Sequence, residues 1–285
     1  IWFSHPYLMN DHQEIMFSMK TIPQILCNQT KEIENILGDE LAANFFNFFI
    51  AKDIIDFADD NLIRDKYIFC LSECDDNSLR DGLLSMWRGY GGKGHGSAIV
   101  FDSNKIEKIS QSPFIIRKVN YRSQQEMLEC NIELLINHFK KVKEIKKEIK
   151  RNFTYDEIHC ISSSLYKNFV LYSFFNKHVG FKEEKEWRVL YDNERDTNNT
   201  LTDMIDYNAN NRFLEPKLKF KIKPNKNITS DDFSLSKIVH QIILGPCKKD
   251  SPLLRDTLKK VLIKSNCSDL QDKIVLSSIP FQDKK

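Results

Sequence analysis

No stretch of this sequence is apolar for long enough to cross a bilayer. Leu41–Ala58, its most apolar segment, is rich in phenylalanine but is interrupted by Asn47, Lys52, Asp53 and Asp56, which makes it too short and too charged to span. Charge of one sign is not in excess either. The 42 basic and 40 acidic residues leave a net charge of +2, so no global field draws the chain to nucleic acid or an anionic membrane, and any such binding has to be local. Repeats, low-complexity tracts and Pro/Gly/Ser-rich linkers are absent, which excludes solenoids and strings of domains. The seven cysteines fall without framework spacing and no secretory signal precedes them, which makes a reducing cytoplasm the expected compartment. There is no C-x-x-C pair and no H-E-x-x-H motif, so no metal site is expected. Without a G-x-S-x-G elbow, no Ser-His-Asp triad can be argued. The chain starts at Ile1-Trp2 with no methionine, and the expectation is that a further segment precedes it.

What remains is the pattern of an α+β protein: a mixed, mostly antiparallel sheet core with flanking helices, read as one domain over 1–285 with a helical insertion at about 124–176. Ile1–Ser4 reads as a strand ending at His5-Pro6, and Leu41–Asp60 as a buried helix with apolar residues at Leu41, Phe45, Phe48, Phe49, Ile55 and Phe57. Further strands are expected at Tyr67–Ser72, Ser97–Asp102, Phe114–Tyr121, Trp187–Tyr191, Leu218–Ile222, Ile238–Leu244 and Ile274–Leu276. Helices are expected at Asp81–Gly89 and Leu253–Ile263, with two long ones across the insertion. The first of these carries Ile136, Phe139, Val142, Ile145 and Ile149 as its apolar face, and its other faces are strongly basic.

Three constellations could carry chemistry. Five of the nine glycines lie between Gly89 and Gly96 in Trp87-Arg-Gly-Tyr-Gly-Gly-Lys-Gly-His-Gly-Ser97. This is either a tight irregular turn or a cradle whose backbone N–H groups meet phosphate, with Trp87, Arg88, Tyr90, Gly91, Gly94 and His95 as its contact residues. Gly89, Gly91 and Gly94 match G-x-G-x-x-G, but a helix precedes them and a strand follows, the reverse of a dinucleotide fingerprint. A Walker loop is excluded because Gly94 stands where Ser or Thr belongs. The second constellation is Phe181-Lys-Glu-Glu-Lys-Glu-Trp-Arg188. As a strand it places Glu184, Glu186 and Arg188 on one face and Trp187 on the core face. The row is either an exposed edge of ion pairs or a cleft in which a glutamate stabilises positive charge developing on a sugar. The third is the basic run Lys140–Arg151, seven Lys or Arg against two Glu. It is a solvated helix face, or a contact for nucleic acid or a protein partner through Lys140, Lys143, Lys146 and Lys147.

Several of these pieces, in this order, resemble the bacterial domain of unknown function family 2971. They are an aromatic first strand, Met9-Asn10-Asp11-x-x-Glu14, Cys70-Leu-Ser-Glu73, Met86-Trp-Arg-Gly-Tyr90, Gly96-Ser-Ala-Ile-Val-Phe-Asp102, Phe181-x-Glu-Glu-Lys-Glu-Trp-Arg188, and Ile242-Ile-Leu-Gly-Pro246 with Ser277-Ser-Ile-Pro-Phe281. The resemblance runs over nearly the whole chain outside the insertion, and departs from the family at His12, where proline is usual. Its motif order is in turn similar to that of ADP-ribosyltransferases, whose first motif would lie upstream of Ile1. That likeness implies NAD as the cofactor, with Glu186 on the nicotinamide ribose, Glu184 beside it, Ser72 shaping the site, Tyr90 stacking on nicotinamide, and Arg88 or Arg188 on the pyrophosphate. It implies an ADP-ribosyltransferase or NAD glycohydrolase, a toxin-like or anti-phage effector with a macromolecular acceptor. The competing expectations are a nucleic-acid-binding or nuclease-like module using the basic helix, and a non-catalytic subunit that senses a nucleotide or binds a partner.

Overall fold

The computed structural model describes residues 1–9, 15–16, 19–54, 61–106, 113–209, 214–225, 228–229, 233–246 and 251–280. The chain is an α+β fold. Its longer helices are α1 (Ile22–Asn28), α2 (Thr30–Leu37), α3 (Asp39–Ile54), α4 (Leu84–Gly89), α5 (Gln124–Ile149), α6 (Tyr155–Ser173) and α7 (Ser251–Lys264). The strands are β1 (Trp2–Ser4), β2 (Lys66–Ser72), β3 (Ser97–Phe101), β4 (Phe114–Lys118), β5 (Asn120–Arg122), β6 (Asn176–His178), β7 (Glu186–Asp192), β8 (Ile205–Ala209), β9 (Leu214–Lys219), β10 (Val239–Leu244) and β11 (Ile274–Leu276). Six of them form an antiparallel sheet in the order β4-β7-β2-β1-β9-β8. A smaller sheet runs β11-β10-β3, and β5 pairs with β6 in parallel.

Local chemistry sets the helix ends. Ser123 caps α5 and Thr154 caps α6, each in a reciprocal capping box with the glutamate three residues on, Glu126 and Glu157. Between them Lys150 turns left-handed (φ 51°) and reverses the chain. The two long helices therefore lie together and share one apolar core with α1, α2 and α3, built around Ile25, Ile36, Phe45, Leu135, Phe139 and Phe169. The buried stripe of α5 is Met127, Asn131, Leu135, Phe139 and Val142. Ile136 and Ile145, expected to face inward, are exposed, because the stripe follows the 3.6-residue period back from Phe139 to Leu135 and Asn131.

This helical core packs on one face of the large sheet, where Ile68 and Leu190 join it. The other face, with Phe3, Tyr67, Phe114, Val189 and Tyr191, meets the small sheet and Leu262 of α7 in a second core. An apolar cavity of about 50 Å³ lies in that second core, lined by residues such as Phe3, Phe69, Phe114, Val189 and Phe233. With no polar group in its lining it offers nothing for chemistry, so the polar face of the sheet is where a site has to be sought.

Several expected boundaries shift for identifiable reasons. Phe114–Tyr121 is two strands: after β4, Val119 bonds to the Glu186 carbonyl and β5 leaves the large sheet for β6. The helix expected from Asp81 starts at Leu84, since Gly82 has φ 74°. The strand expected at Leu218–Ile222 is Leu214–Lys219. Its Pro216 is tolerated because β1 pairs only as far as Lys217, leaving β8 as the single neighbour at the proline. Residues 55–60 of the expected first long helix, Asn10–Glu14 of the family pattern, Cys247 and Phe281 lie outside the described residues. No helix among the described residues is long and apolar enough to cross a membrane.

Candidate functional site

The chemistry collects around β7. This strand lies between β4 and β2, covered on both faces, so the row Glu184-Glu186-Arg188 is not an exposed edge of ion pairs. The Trp187 face is a core face, as Val189 and Tyr191 show, but the opposite face is covered as well: Glu186 (5% exposed) and Arg188 (0%) are more deeply buried than Trp187 itself. Burial in the middle of a sheet requires each of these charges to have partners. The Arg188 guanidinium donates through Nε to Glu186 Oε1 at 2.8 Å and through a terminal nitrogen to Oε2 at 3.3 Å. Its other terminal nitrogen donates to the Phe174 carbonyl at the end of α6, at 2.8 Å. Fully enclosed and bonded in this way, Arg188 orients Glu186.

Lys177 on β6, 1% exposed, completes the cluster. Its ammonium donates to Glu186 Oε2 at 3.1 Å and Glu184 Oε2 at 2.5 Å, and lies 4.8 Å from the centre of the Phe181 ring. Two carboxylates thus balance two cations. Glu184 is not part of the strand. It ends a 3-10 turn over Val179–Glu184, and the left-handed Lys185 (φ 45°) turns its side chain back beside Glu186. Its side chain is 19% exposed, and the exposed Tyr90 donates its hydroxyl to Glu184 Oε1 at 3.1 Å. Ser72, the register partner of Glu186 on β2, donates to the Glu184 carbonyl at 2.6 Å. Tyr121 receives the Glu186 backbone N–H at 2.6 Å. Ser72, Tyr90, Glu184, Glu186 and Arg188, all named from the sequence, are therefore one cluster.

Electrostatics fix the charge state of Glu186. Burial alone raises the Glu186 carboxyl, but the Arg188 charge, hydrogen bonds from Arg188 and Cys70, and the Lys177 charge together hold it below the ordinary range. It is an anion at neutral pH with both oxygens occupied. Cys70, opposite Arg188 on β2, is reached by solvent, yet burial and then the neighbouring Glu186 push its thiol up. It is a neutral thiol and not a thiolate nucleophile.

The glycine turn sits beside this cluster and is explained by packing. Trp87 is buried and its indole N–H donates to the Asp81 carbonyl at 2.8 Å. A Cβ on Gly91 would come within 2.6 Å of the Trp87 ring, and one on Gly245 within 2.3 Å of the Gly94 carbonyl oxygen. The N–H groups of Gly91, Gly94, His95 and Gly96 donate to the carbonyls of Met86, Gly91, Gly92 and Gly91. These donors are engaged inside the turn, so the tight turn accounts for the glycines and no cradle of free N–H groups is left at these positions. Arg88 and His95 are exposed at its surface. Gly89 is the exception. It ends α4 with open space around the Cβ position, so Gly89→Ala is expected to stabilise the protein by about 0.5–1 kcal/mol, seen as a higher melting temperature.

On the basic helix, Lys143 pairs with Glu32 at 2.8 Å and Lys146 donates to the Ile36 carbonyl at 2.5 Å, while Lys140 and Lys147 are exposed. Half of the proposed contact lysines thus hold α5 to α2. Among the described residues no group of three or more His, Cys, Asp or Glu could hold a metal ion.

Sequence reasoning missed Lys177, Tyr121 and Cys70. The signal for Lys177 was a lysine placed directly after the buried run ending Phe174-Phe175-Asn176. Such a cation needs an anion from elsewhere in the fold, and nothing local named it.

Residues 86–189 match the model of a family described as a protein of unknown function, DUF2971, which supports the family resemblance read from the sequence. The match takes in α5 and α6, which that resemblance had set aside. It reaches neither Ser72 nor the terminal segments. No curated protein and no solved structure matches the chain.

Proposed function

We propose that this chain consumes NAD, transferring ADP-ribose to an acceptor or to water, at the cluster of Ser72, Tyr90, Glu184 and Glu186. The observation that carries the reading is the register of β2 on β7. Ser72 and Glu186, far apart in sequence, are direct partners, so a hydroxyl-bearing strand and a carboxylate-bearing strand lie side by side, as the motif order would require. The roles divide by burial. Glu186, occupied by Arg188 and Lys177, positions the cluster. Glu184 is the carboxylate open to solvent and meets the ribose of the substrate, with Tyr90 beside it. As the bond from the ribose anomeric carbon to nicotinamide breaks, the electron pair leaves with nicotinamide and positive charge grows on the sugar. The Glu184 carboxylate stabilises that charge. An acceptor or water then bonds to the anomeric carbon and gives up its proton.

The test incubates the protein with NAD labelled in its adenylate half, plus cell lysate and nucleic acid. Wild type is expected to release nicotinamide or transfer label, and Glu184→Gln, a substitution at a partly exposed position, to lose about 10²–10³-fold in rate. Silence of the wild type with every acceptor overturns the activity. Undiminished turnover by Glu184→Gln overturns the site.

A further inference from the structure

Away from the carboxylate cluster the large sheet ends at β8, whose only neighbouring strand among the described residues is β9. Register shows which backbone groups of β8 are left over. The Ile1 ammonium donates to the Phe220 carbonyl, so Phe220, Leu218 and Pro216 direct their peptide groups toward β1. The residues between them, Glu215, Lys217 and Lys219, direct theirs toward β8. Asn208 and Asp206, the partners of Glu215 and Lys217, point back at β9, which leaves the N–H and C=O groups of Ile205, Tyr207 and Ala209 directed outward. The Tyr207 N–H is met at 2.7 Å by the carboxylate of its own neighbour, Asp206. A side chain thus stands in for a further strand. The side chains beside this edge are apolar on one face. Ile205 pairs with Leu218 of the second core, and Tyr207, Ala209, Pro216 and Leu214 continue the same face. The core stops short of them: Tyr207 and Leu214 are each 66% exposed. On the other face the charges are matched within the chain, Asp206 with Lys219 at 2.8 Å and Glu215 with Lys217 at 3.0 Å.

We propose that β8 pairs antiparallel with β8 of a second copy of this chain, about a two-fold axis at Tyr207, so that two large sheets join edge to edge. In that register Tyr207 meets Tyr207 of the second copy and Ile205 meets its Ala209. These are the outward-directed positions, so each free N–H faces a free C=O. Asp206 falls opposite Asn208 of the second copy, and no like charges stand directly across from one another. Tyr207 and Leu214 of both copies come together as one apolar cluster, covering what neither copy covers alone. This self-complementarity is what favours a second copy over a foreign strand, because one patch supplies both halves of a two-fold interface. Asp206 has only to release the Tyr207 N–H and keeps its bond to Lys219. The inference stands apart from the NAD reading, whose cluster lies on other strands. Pairing along one short strand is at the small end of specific interfaces, so the expected dimer dissociates on dilution.

Sedimentation velocity of the whole protein over a dilution series is expected to show monomer passing to dimer as concentration rises. A monomer at every concentration up to about 1 mM overturns the proposal. Tyr207→Glu sets two carboxylates against each other across the axis and removes the central aromatic pair, which should weaken the dimer about tenfold or more. Its melting temperature should stay that of the wild-type monomer, because the side chain replaced is largely exposed. A dimer that Tyr207→Glu leaves unchanged is built on another surface and overturns the proposal. Cross-linking reads the register directly. Residues that exchange both backbone bonds across an antiparallel pair hold their Cα atoms about 5.5 Å apart, within the reach of a disulfide. Under mild oxidation Tyr207→Cys should therefore link to its own copy through position 207, identified by mass spectrometry of the joined peptide. Asn208→Cys, which faces Asp206 of the second copy, should not. Linkage through position 208 in preference to 207 overturns the register and with it the proposal.

Discussion

Arg188→Leu is expected to destabilise the protein by about 3–5 kcal/mol, measured by urea unfolding at neutral pH. The reason is what the substitution leaves behind. Glu186 stays buried in the middle of the sheet with Lys177 as its one remaining cation, and the Phe174 carbonyl loses the donor that now meets it at 2.8 Å. Replacing both residues with leucine removes the stranded anion, so the double variant should recover part of the loss. pH dependence gives an independent readout. In wild type the Glu186 carboxyl is held below its ordinary value of 4.5. Its contribution to stability is therefore complete above about pH 4.5 and is lost as pH falls through the lower folded value. In Arg188→Leu, burial acts against fewer opposing groups and the carboxyl shifts upward. A carboxyl raised above 4.5 on folding costs stability as pH rises from there toward the raised folded value, so where this group gives wild type a flat profile above about pH 4.5 the variant should lose stability with rising pH. A variant as stable as wild type, with the same pH profile, would show that the pair contributes nothing to holding the sheet together.

The same strand shows how far the sequence could be read. Alternation in Glu186-Trp-Arg-Val-Leu-Tyr191 correctly gives a strand, and the apolar or aromatic runs of β2, β10 and β11 do likewise, because each presents β-favouring residues between turn signals. What period 2 cannot convey is which face is more deeply buried when both are covered. Trp187 looked like the inward residue because indole is apolar, yet the helices cover the side that carries Arg188, and the Phe174 carbonyl and Glu186 supply the bonds that make burying a guanidinium tolerable. Glu184 reached its place by a route no strand pattern describes, a left-handed turn at Lys185. Lys177 and Tyr121 were invisible because their partners come from other elements of the fold. The glycine turn was recognised as a place of close approach, but both of its explanations fit the spacing. Only the carbonyl partners of its N–H groups and the position of the Trp87 ring distinguish packing from a cradle.

Gly245→Ala is expected to be the most damaging single-methyl change near the site, costing about 1–3 kcal/mol and reducing any activity further than the stability loss explains. The added Cβ would lie 2.3 Å from the Gly94 carbonyl oxygen and 2.9 Å from that of Gly96. Both obstacles are backbone atoms, so no rotamer change relieves the clash and the junction itself must open. That junction joins two structures. On one side Gly245 donates to the Gly96 carbonyl just beyond the Leu244–Ser97 pair that ends the β10–β3 ladder, and Ser277 donates to the Leu244 carbonyl. On the other side the turn leads back through Gly91, whose position against the Trp87 ring fixes the end of α4 and with it Tyr90, the residue that reaches Glu184. Displacing the turn therefore unseats an aromatic side chain at the mouth of the cluster while leaving Glu186, Arg188 and Lys177 bonded as before. Tyr90→Phe, which removes only the hydroxyl bonded to Glu184, separates the two effects: if Gly245→Ala acts through Tyr90, its activity loss should include the loss seen in Tyr90→Phe, and the double variant should lose less than the sum of the two. Strict additivity of the two losses would mean that the glycine turn and the carboxylate cluster are independent neighbours.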